Sequence, residues 1–350
     1  MTFYGIFMIL YCITLPLITL AMNNTSRKTK DHAVQWIDHN TIAIASTHGC
    51  HLAFNVHSKT PDIKKVHYIP TYNLIYNRTK KILGCMCEQQ FIVYDIEKIR
   101  QVWHQHTHGN QYSAAFGPNN SIFLCVQQKL FSNQSKPAPT LPYTGKHKDI
   151  NIACHPTTKK IAYPLHNTAL AIRSMESIDF TTHTFEKLKG DAIQHLIYSH
   201  DGDHIALLTD DHNVLIHDVA NKETKKIGRY HSATFFDDSI IALIDNQTSV
   251  IDFWNYKTQQ LVAWKYVLPE QFPCSNAVTN ILDFSPDQLY FSTIIENKCT
   301  IFPVPFALTK KKFIFMYWLM RQHLCDPEKP IFPPEVIRLI MLPIVNPWLS

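Results

Sequence analysis

A short phrase recurs about every 40 residues along this chain: an apolar strand, a tight turn, a second apolar strand, then a third ending in an aromatic or His followed by Asp or Asn. A repeat of that length dictates a stack or ring of like units, because one copy cannot bury its own apolar faces without neighbours. The clearest copy runs from Leu196 to Asp211 and continues from Asn213 to Asn221. It aligns with Ile152 to Ala162 and with Leu282 to Thr293. Ser199-His200-Asp201-Gly202, His155-Pro156-Thr157-Thr158 and Ser285-Pro286-Asp287-Gln288 supply the turns. Pro presets φ, Ser and Asp bond back to nearby backbone, and Gly tolerates φ > 0. Third strands end at Phe54-Asn55, Tyr94-Asp95, His217-Asp218 and Trp254-Asn255, with the Asp/Asn positions separated by 40, 123 and 37 residues.

These units resemble the WD-repeat β-propeller family, in which each repeat forms one four-stranded blade whose last strand pair often ends in Trp-Asp. No copy here reads Trp-Asp. Gly190-Asp191 and Gly145-Lys146-His147 stand near where the family carries Gly-His. Strand-turn-strand units beginning near Ala33, Tyr72, Tyr112, Asp149, Ala192, Ser232 and Asn276 give seven candidate blades between residues 31 and 308. The expected fold is therefore an all-β, seven-bladed propeller. The third blade is the least regular, because after Ser121 to Gln127 the chain enters the Pro-rich stretch Phe131 to Gly145. Prolines there cannot join a central ladder and indicate an edge strand followed by a long surface loop.

At 45% hydrophobic and 12% aromatic, a chain of 350 residues can bury a large core, and a propeller of this length is one domain. The formal charge of +5 is modest and its Lys and Arg are scattered, so nothing supports nucleic-acid binding. The 20 His make the net charge rise as pH falls through about 6.5.

Residues 1–21 carry no charged side chain and are almost wholly apolar, with small residues at Thr19 and Ala21 and a proline at Pro16. That pattern suits a secretory leader cut after Ala21, and it places the protein outside the cell or in the periplasm. The first basic residues, Arg27, Lys28 and Lys30, lie downstream. An uncleaved membrane anchor is the alternative, since the run is just long enough to span a bilayer. Of nine Cys, Cys12 is in the leader, and Cys50, Cys85, Cys87, Cys125, Cys154, Cys274, Cys299 and Cys325 remain. Most fall within expected strands, where a thiol is a small core residue. Mostly reduced, buried thiols are expected, with at most one or two bridges.

The repeat stops before residues 309–350. Phe313-Ile314-Phe315 is a candidate fourth strand for blade seven, with the segment near Ala33 as the alternative closing strand; Met316, Tyr317, Met320 and Leu324 share one helical face. Phe332-Pro333-Pro334-Glu335-Val336-Ile337-Arg338-Leu339-Ile340 resembles the opening of an F-box, whose first helix begins Leu-Pro-x-Glu. The resemblance covers about 20 residues, roughly half of such a module, and implies an adaptor-binding helix. The plainer reading is a helical clasp on the propeller, because an apolar stripe at helical spacing packs against a core. Leader and F-box hold together only in a bacterial product exported toward a eukaryotic host.

Candidate chemistry is sparse. His104, His106 and His108 alternate and project to one side of an extended strand, a spacing able to hold Zn²⁺ or Cu²⁺. No acid or Cys is adjacent, and a solvated strand end is the favoured reading. Asp201, Asp203, Asp210 and Asp211 form the densest acidic group, without a Ca²⁺-loop spacing, and turn formation explains them better. Gly-x-Ser-x-Gly, a phosphate loop and His-Glu-x-x-His are missing from the sequence. Sequons occur at Asn23, Asn24, Asn77, Asn119, Asn133 and Asn246. No catalytic residue, cofactor or metal is expected. The resemblance implies a monomeric protein–protein interaction scaffold that meets a membrane only through an uncleaved leader. The alternatives are an exported propeller enzyme using a central funnel and a tethered subunit of a surface complex.

Overall fold

The computed structural model describes residues 18–19, 31–58, 60–107, 112–118, 121–126, 129–133, 151–166, 169–174, 180–184, 192–245, 250–267, 282–295 and 298–304. Among these the regular structure is entirely β. β1 is the short strand Ile18–Thr19, and blade one follows as β2 (Asp31–Trp36), β3 (Thr41–Ser46), β4 (Gly49–Phe54) and β5 (Asp62–His67). Blade two is β6 (Thr71–Asn77), β7 (Ile82–Cys87), β8 (Gln90–Asp95) and β9 (Arg100–His106). Blade three has three described strands, β10 (Tyr112–Phe116), β11 (Ile122–Val126) and β12 (Lys129–Ser132). Blade four is β13 (Ala153–Cys154), β14 (Lys160–His166), β15 (Ala169–Ser174) and β16 (Phe180–Thr184). Blade five is β17 (Ile193–Tyr198), β18 (His204–Thr209), β19 (Asn213–Asp218) and β20 (Glu223–Arg229). Blade six is β21 (Ser232–Phe235), β22 (Ile240–Asp245), β23 (Val250–Asn255) and β24 (Gln260–Val267). Blade seven is β25 (Leu282–Phe284), β26 (Tyr290–Ile295) and β27 (Lys298–Pro303), with β1 on its outer edge.

Each sheet is an antiparallel meander in chain order, and the seven expected blade starts match seven inner strands. The fourth strand of blade seven departs from both alternatives read from the sequence. Ala33 lies within blade one itself. Ile18 pairs with Ile301 and Thr19 with Thr300. Phe313–Phe315 and the whole tail 309–350 lie outside the described residues, as do residues 1–17, 20–21, Gly145–His147, Gly190-Asp191, Cys12, Cys274 and Cys325.

The repeated aromatic-Asp/Asn phrase has a local physical cause. It ends four of the third strands and opens the turn to the fourth, and at three of them the carboxylate or amide oxygen accepts backbone N–H groups that the turn leaves exposed. Asp95 accepts from Lys98 N at 3.1 Å, Asp218 from Asn221 N at 2.9 Å, and Asn255 from Lys257 N at 3.0 Å and Thr258 N at 2.9 Å. Four residues past each anchor, Ile99, Lys222 and Gln259 take φ of 47°, 57° and 61°, the left-handed position that sets the register of a bulged hairpin loop. Turns between first and second strands repeat as closely. Ser199 Oγ donates to Asp201 at 2.6 Å and receives His204 N at 3.0 Å. Ser285 Oγ donates to Asp287 at 2.6 Å and receives Tyr290 N at 2.9 Å.

Second and third strands are buried on both faces, because each blade is packed between two others. Seven apolar clusters fill the seven interfaces, including Val34, Trp36 and Ile42 of blade one against Ile294, Cys299 and Ile301 of blade seven. The interface between blades six and seven is aromatic, with Phe236 and Phe284 edge to face at 4.8 Å and Phe253 nearby. None of the described cysteines is bonded to another, and Cys50, Cys85, Cys87, Cys125 and Cys299 are buried.

Phe253→Ala is expected to cost about 3–5 kcal/mol in denaturant unfolding, since it opens a cavity between two blades. Asp218→Ala, which removes a turn anchor and a 3.9 Å approach of His204 Nε2 on the rim, is expected to cost about 1 kcal/mol. Equal losses would show that turns and interfaces are not separable in this way.

Candidate functional site

Stacking seven blades creates two rims and a central channel. One rim carries the turns between second and third strands and the connections between blades; the other carries the remaining turns. Inner strands of all seven blades line a channel of about 340 Å³, with Gln35, Asn73, His195 and Asp283 among its polar groups. Asp283 is committed to the fold: its Oδ2 accepts Trp36 N at 2.6 Å and Gln35 Nε2 at 2.7 Å. Although part of its surface faces the channel, the enclosing protein pushes its carboxyl up to about 6, against the pull of the Arg78 guanidinium. His195 is held down at about 4 by burial alone. The channel therefore holds a neutral imidazole and a carboxylate already occupied by two donors.

A second cavity, of about 270 Å³, lies between blades five and six and is lined by His204, Asp218, Lys225, Trp254, Tyr256 and Lys257 among others. Lys257 crosses to Asp201 at 3.1 Å, and Lys225 reaches the Gln259 side chain, so cross-blade contacts occupy much of its rim.

The sequence candidates fall in separate places. His104 and His106 are exposed on the outer strand β9 with rings 5.5 Å apart, while His108 lies outside the described residues. Asp201 and Asp203 stand on one rim and Asp210 and Asp211 on the other, at opposite ends of β18. Six residues at the rise of a strand separate them by roughly 20 Å. The apparent acidic group is thus two turns, with Asp201 accepting Asp203 N at 3.1 Å and Asp210 accepting Ala192 N at 2.8 Å. Among the described residues no three His, Cys, Asp or Glu converge as metal ligands. Of the sequons, the Asn77 and Asn133 side chains accept backbone N–H groups of Lys80 and Ile122. Asn23, Asn24, Asn119 and Asn246 lie outside the described residues.

Sequence reading missed an aromatic patch on the rim between blades one and two. Tyr68 is 79% exposed and Tyr72 46%. Lys65 Nζ sits 3.9 Å from the centre of the Tyr68 ring, and His32 lies 5.6 Å from Tyr72. The connection bearing both tyrosines is pinned from beneath. His67 Nε2 and Thr71 Oγ1 are hydrogen-bonded at 2.8 Å, Thr71 Oγ1 donates to Ile69 O at 3.0 Å, and Cys87 Sγ lies 3.6 Å from the imidazole. Gly49 approaches the same connection with φ of 116°, and a Cβ there would fall 2.0 Å from His67 O. The signal available in the sequence was Tyr68-Ile69-Pro70-Thr71-Tyr72, two aromatics flanking a proline between strands.

The buried titratable groups set opposing pH dependences. Burial holds His51, His67, His195 and His217 down at about 4. Their contribution is present above the unfolded value of about 6.5 and is lost as pH falls toward 4. Asp31 and Asp283 are raised to about 6 by burial. They contribute in the other sense, stabilising below about 4 and losing that as pH rises through 6. Each shift corresponds to at most about 3 kcal/mol, less where burial is incomplete. Four histidines outweigh two aspartates, so unfolding midpoints are expected to drop as pH falls from 6.5 to 4. His217→Asn is expected to flatten that slope, and a slope of the opposite sign would contradict the balance.

No family model matches the sequence. No curated protein matches it either. Among solved structures, the chain is similar to the β-propeller domain of Cps50 (Swd1) from Myceliophteria thermophila, with a TM-score of 0.63 at 12% identity, covering 81% of this chain and 99% of that one. A likeness at that identity concerns the fold, and it agrees with a β-propeller.

Proposed function

We propose that this chain is an exported, non-catalytic propeller that binds another protein through the rim bearing Tyr68 and Tyr72. The exposed tyrosine pair on a pinned connection carries this reading. Large, partly apolar rings held in place before binding lose little freedom on association and dominate interface energies. The propeller fold supports a binding role in general, since a rigid ring presents turns while its strands hold them. Export draws on residues 1–21, whose uncharged apolar run and small residues at Thr19 and Ala21 suit a secretory leader. The binding unit is a monomer that engages protein rather than nucleic acid, and it meets a membrane only if residues 1–21 are retained.

A photo-crosslinking residue at position 68 is expected to capture a protein partner when the full chain is produced in its secreting host, and one at the exposed position 80 on the opposite rim is not. Tyr68→Ala with Tyr72→Ala is expected to weaken the captured complex by at least tenfold, or about 1.4 kcal/mol, while leaving stability within about 0.5 kcal/mol. Capture at position 80 alone would move the interface to the other rim. Mass spectrometry of the mature N-terminus tests export separately: Met22 in the soluble exported fraction supports a cleaved leader, Met1 in membranes a tether, and Met1 in cytosol removes export from the account.

A further inference from the structure

Blade seven is completed from outside its own repeat. Within β27, Cys299, Thr300, Ile301 and Phe302 are each buried, as are the third strands β4, β8 and β19. The outer strands β5, β9 and β20 are instead largely exposed. β27 is therefore a third strand, and a third strand without a fourth presents a row of unpaired N–H and C=O groups. The pairing that covers this edge is Ile18 with Ile301 and Thr19 with Thr300, antiparallel. Both residues lie ahead of Ala21, inside the segment whose composition suits a cleaved leader. One segment cannot both depart on cleavage and close the blade.

We propose that cleavage after Ala21 uncovers the outer edge of β27 and makes it a docking site for an extended strand of a partner protein. The proposal rests on the export reading for how the segment is lost in the cell. The chemistry of the occupant follows from β1: an antiparallel, uncharged strand with branched or hydroxyl side chains, bound through its backbone as in strand addition. Its length is bounded by the edge. Pro303 has no N–H to offer and the Cys299 N–H is already given to Asp31, which centres the edge available for pairing on Ile301. β1 covers that position by pairing Ile18 with Ile301, so the occupant is a short strand centred on the same residue.

The test uses three purified proteins: the full chain, the chain beginning at Met22, and the Met22 chain ending at residue 308. The probe is a synthetic peptide of residues Leu17 to Asn23, with an Ile18→Lys version as control. Hydrogen exchange of the Ile301 amide, read by mass spectrometry with residue-level fragmentation, is expected to be at least tenfold faster in the Met22 chain than in the full chain. The peptide is expected to restore slow exchange in the Met22 chain saturably, to leave the full chain unchanged, and to fail with the lysine substitution. If the Met22 chain does not fold alone, recovery of a cooperative thermal transition on adding the peptide reads the same contact, and no recovery overturns the proposal. Equal protection in the full and Met22 chains also overturns it, and loss of that protection on removing residues 309–350 would identify this chain's own tail as the occupant. Secretion plays no part in these measurements, so failure of export and failure of docking are read separately.

Discussion

Two buried carboxylates join the last blade to the first, and every other interface depends on that junction. Asp31 of blade one accepts Cys299 N of blade seven at 2.9 Å, and Asp283 of blade seven accepts Trp36 N of blade one at 2.6 Å. Blades are stacked sheets whose middle strands are apolar on both faces, so an open arc would leave two such faces in water. Closing the ring converts them into one more buried interface, filled by Val34, Trp36, Ile294 and Ile301. The carboxylates are displaced upward to about 6 by burial, which shows that their placement is costly; the charge-assisted bonds to backbone N–H groups offset part of that cost and fix the register between blades.

The repeat itself was legible because its cause is local. Asp95, Asp218 and Asn255 anchor turns within a few residues of themselves, and the Ser199 and Ser285 turns close over five, so each leaves a mark in a short window of sequence. The contacts that close the ring span 247 and 268 residues and leave no such mark; nothing adjacent to Asp31 or Asp283 distinguishes them from turn-forming aspartates. Asp201 to Asp211, read from the sequence as turn formers rather than a Ca²⁺ site, anchor two separate turns. Residues close in sequence were separated by the length of a strand, since a hairpin turns the chain from one rim to the other. The Tyr68–Tyr72 patch was hidden because an aromatic beside a proline reads equally as core or surface until His67 and Thr71 are seen to pin the connection beneath it. Ile18–Thr19 falls within the run that suits a leader, and nothing adjacent in the sequence marks its pairing with Thr300 and Ile301.

Functional groups distribute accordingly. The channel is lined by side chains that the fold uses, with Asp283 and Gln35 bonded to each other, and the cavity between blades five and six is bridged by Lys257 and Asp201. The rim turns carry side chains that the fold leaves exposed, and on the rim between blades one and two an exposed aromatic pair is combined with a rigid support. A propeller can vary such turns without disturbing its strands, which is why a common fold carries no function by itself.

The junction between blades one and seven is tested most directly by native-state hydrogen exchange of two backbone amides in the full chain, those of Trp36 and Cys299. Both donate to the carboxylates that close the ring, from opposite sides of it. They are expected to exchange with the same opening free energy, near that of global unfolding, because neither can be freed without parting the two blades. Exchange of Cys299 through a much smaller opening than Trp36, with the rest of the ring still protected, would show that blade seven detaches on its own and that the closure described here does not hold the propeller together.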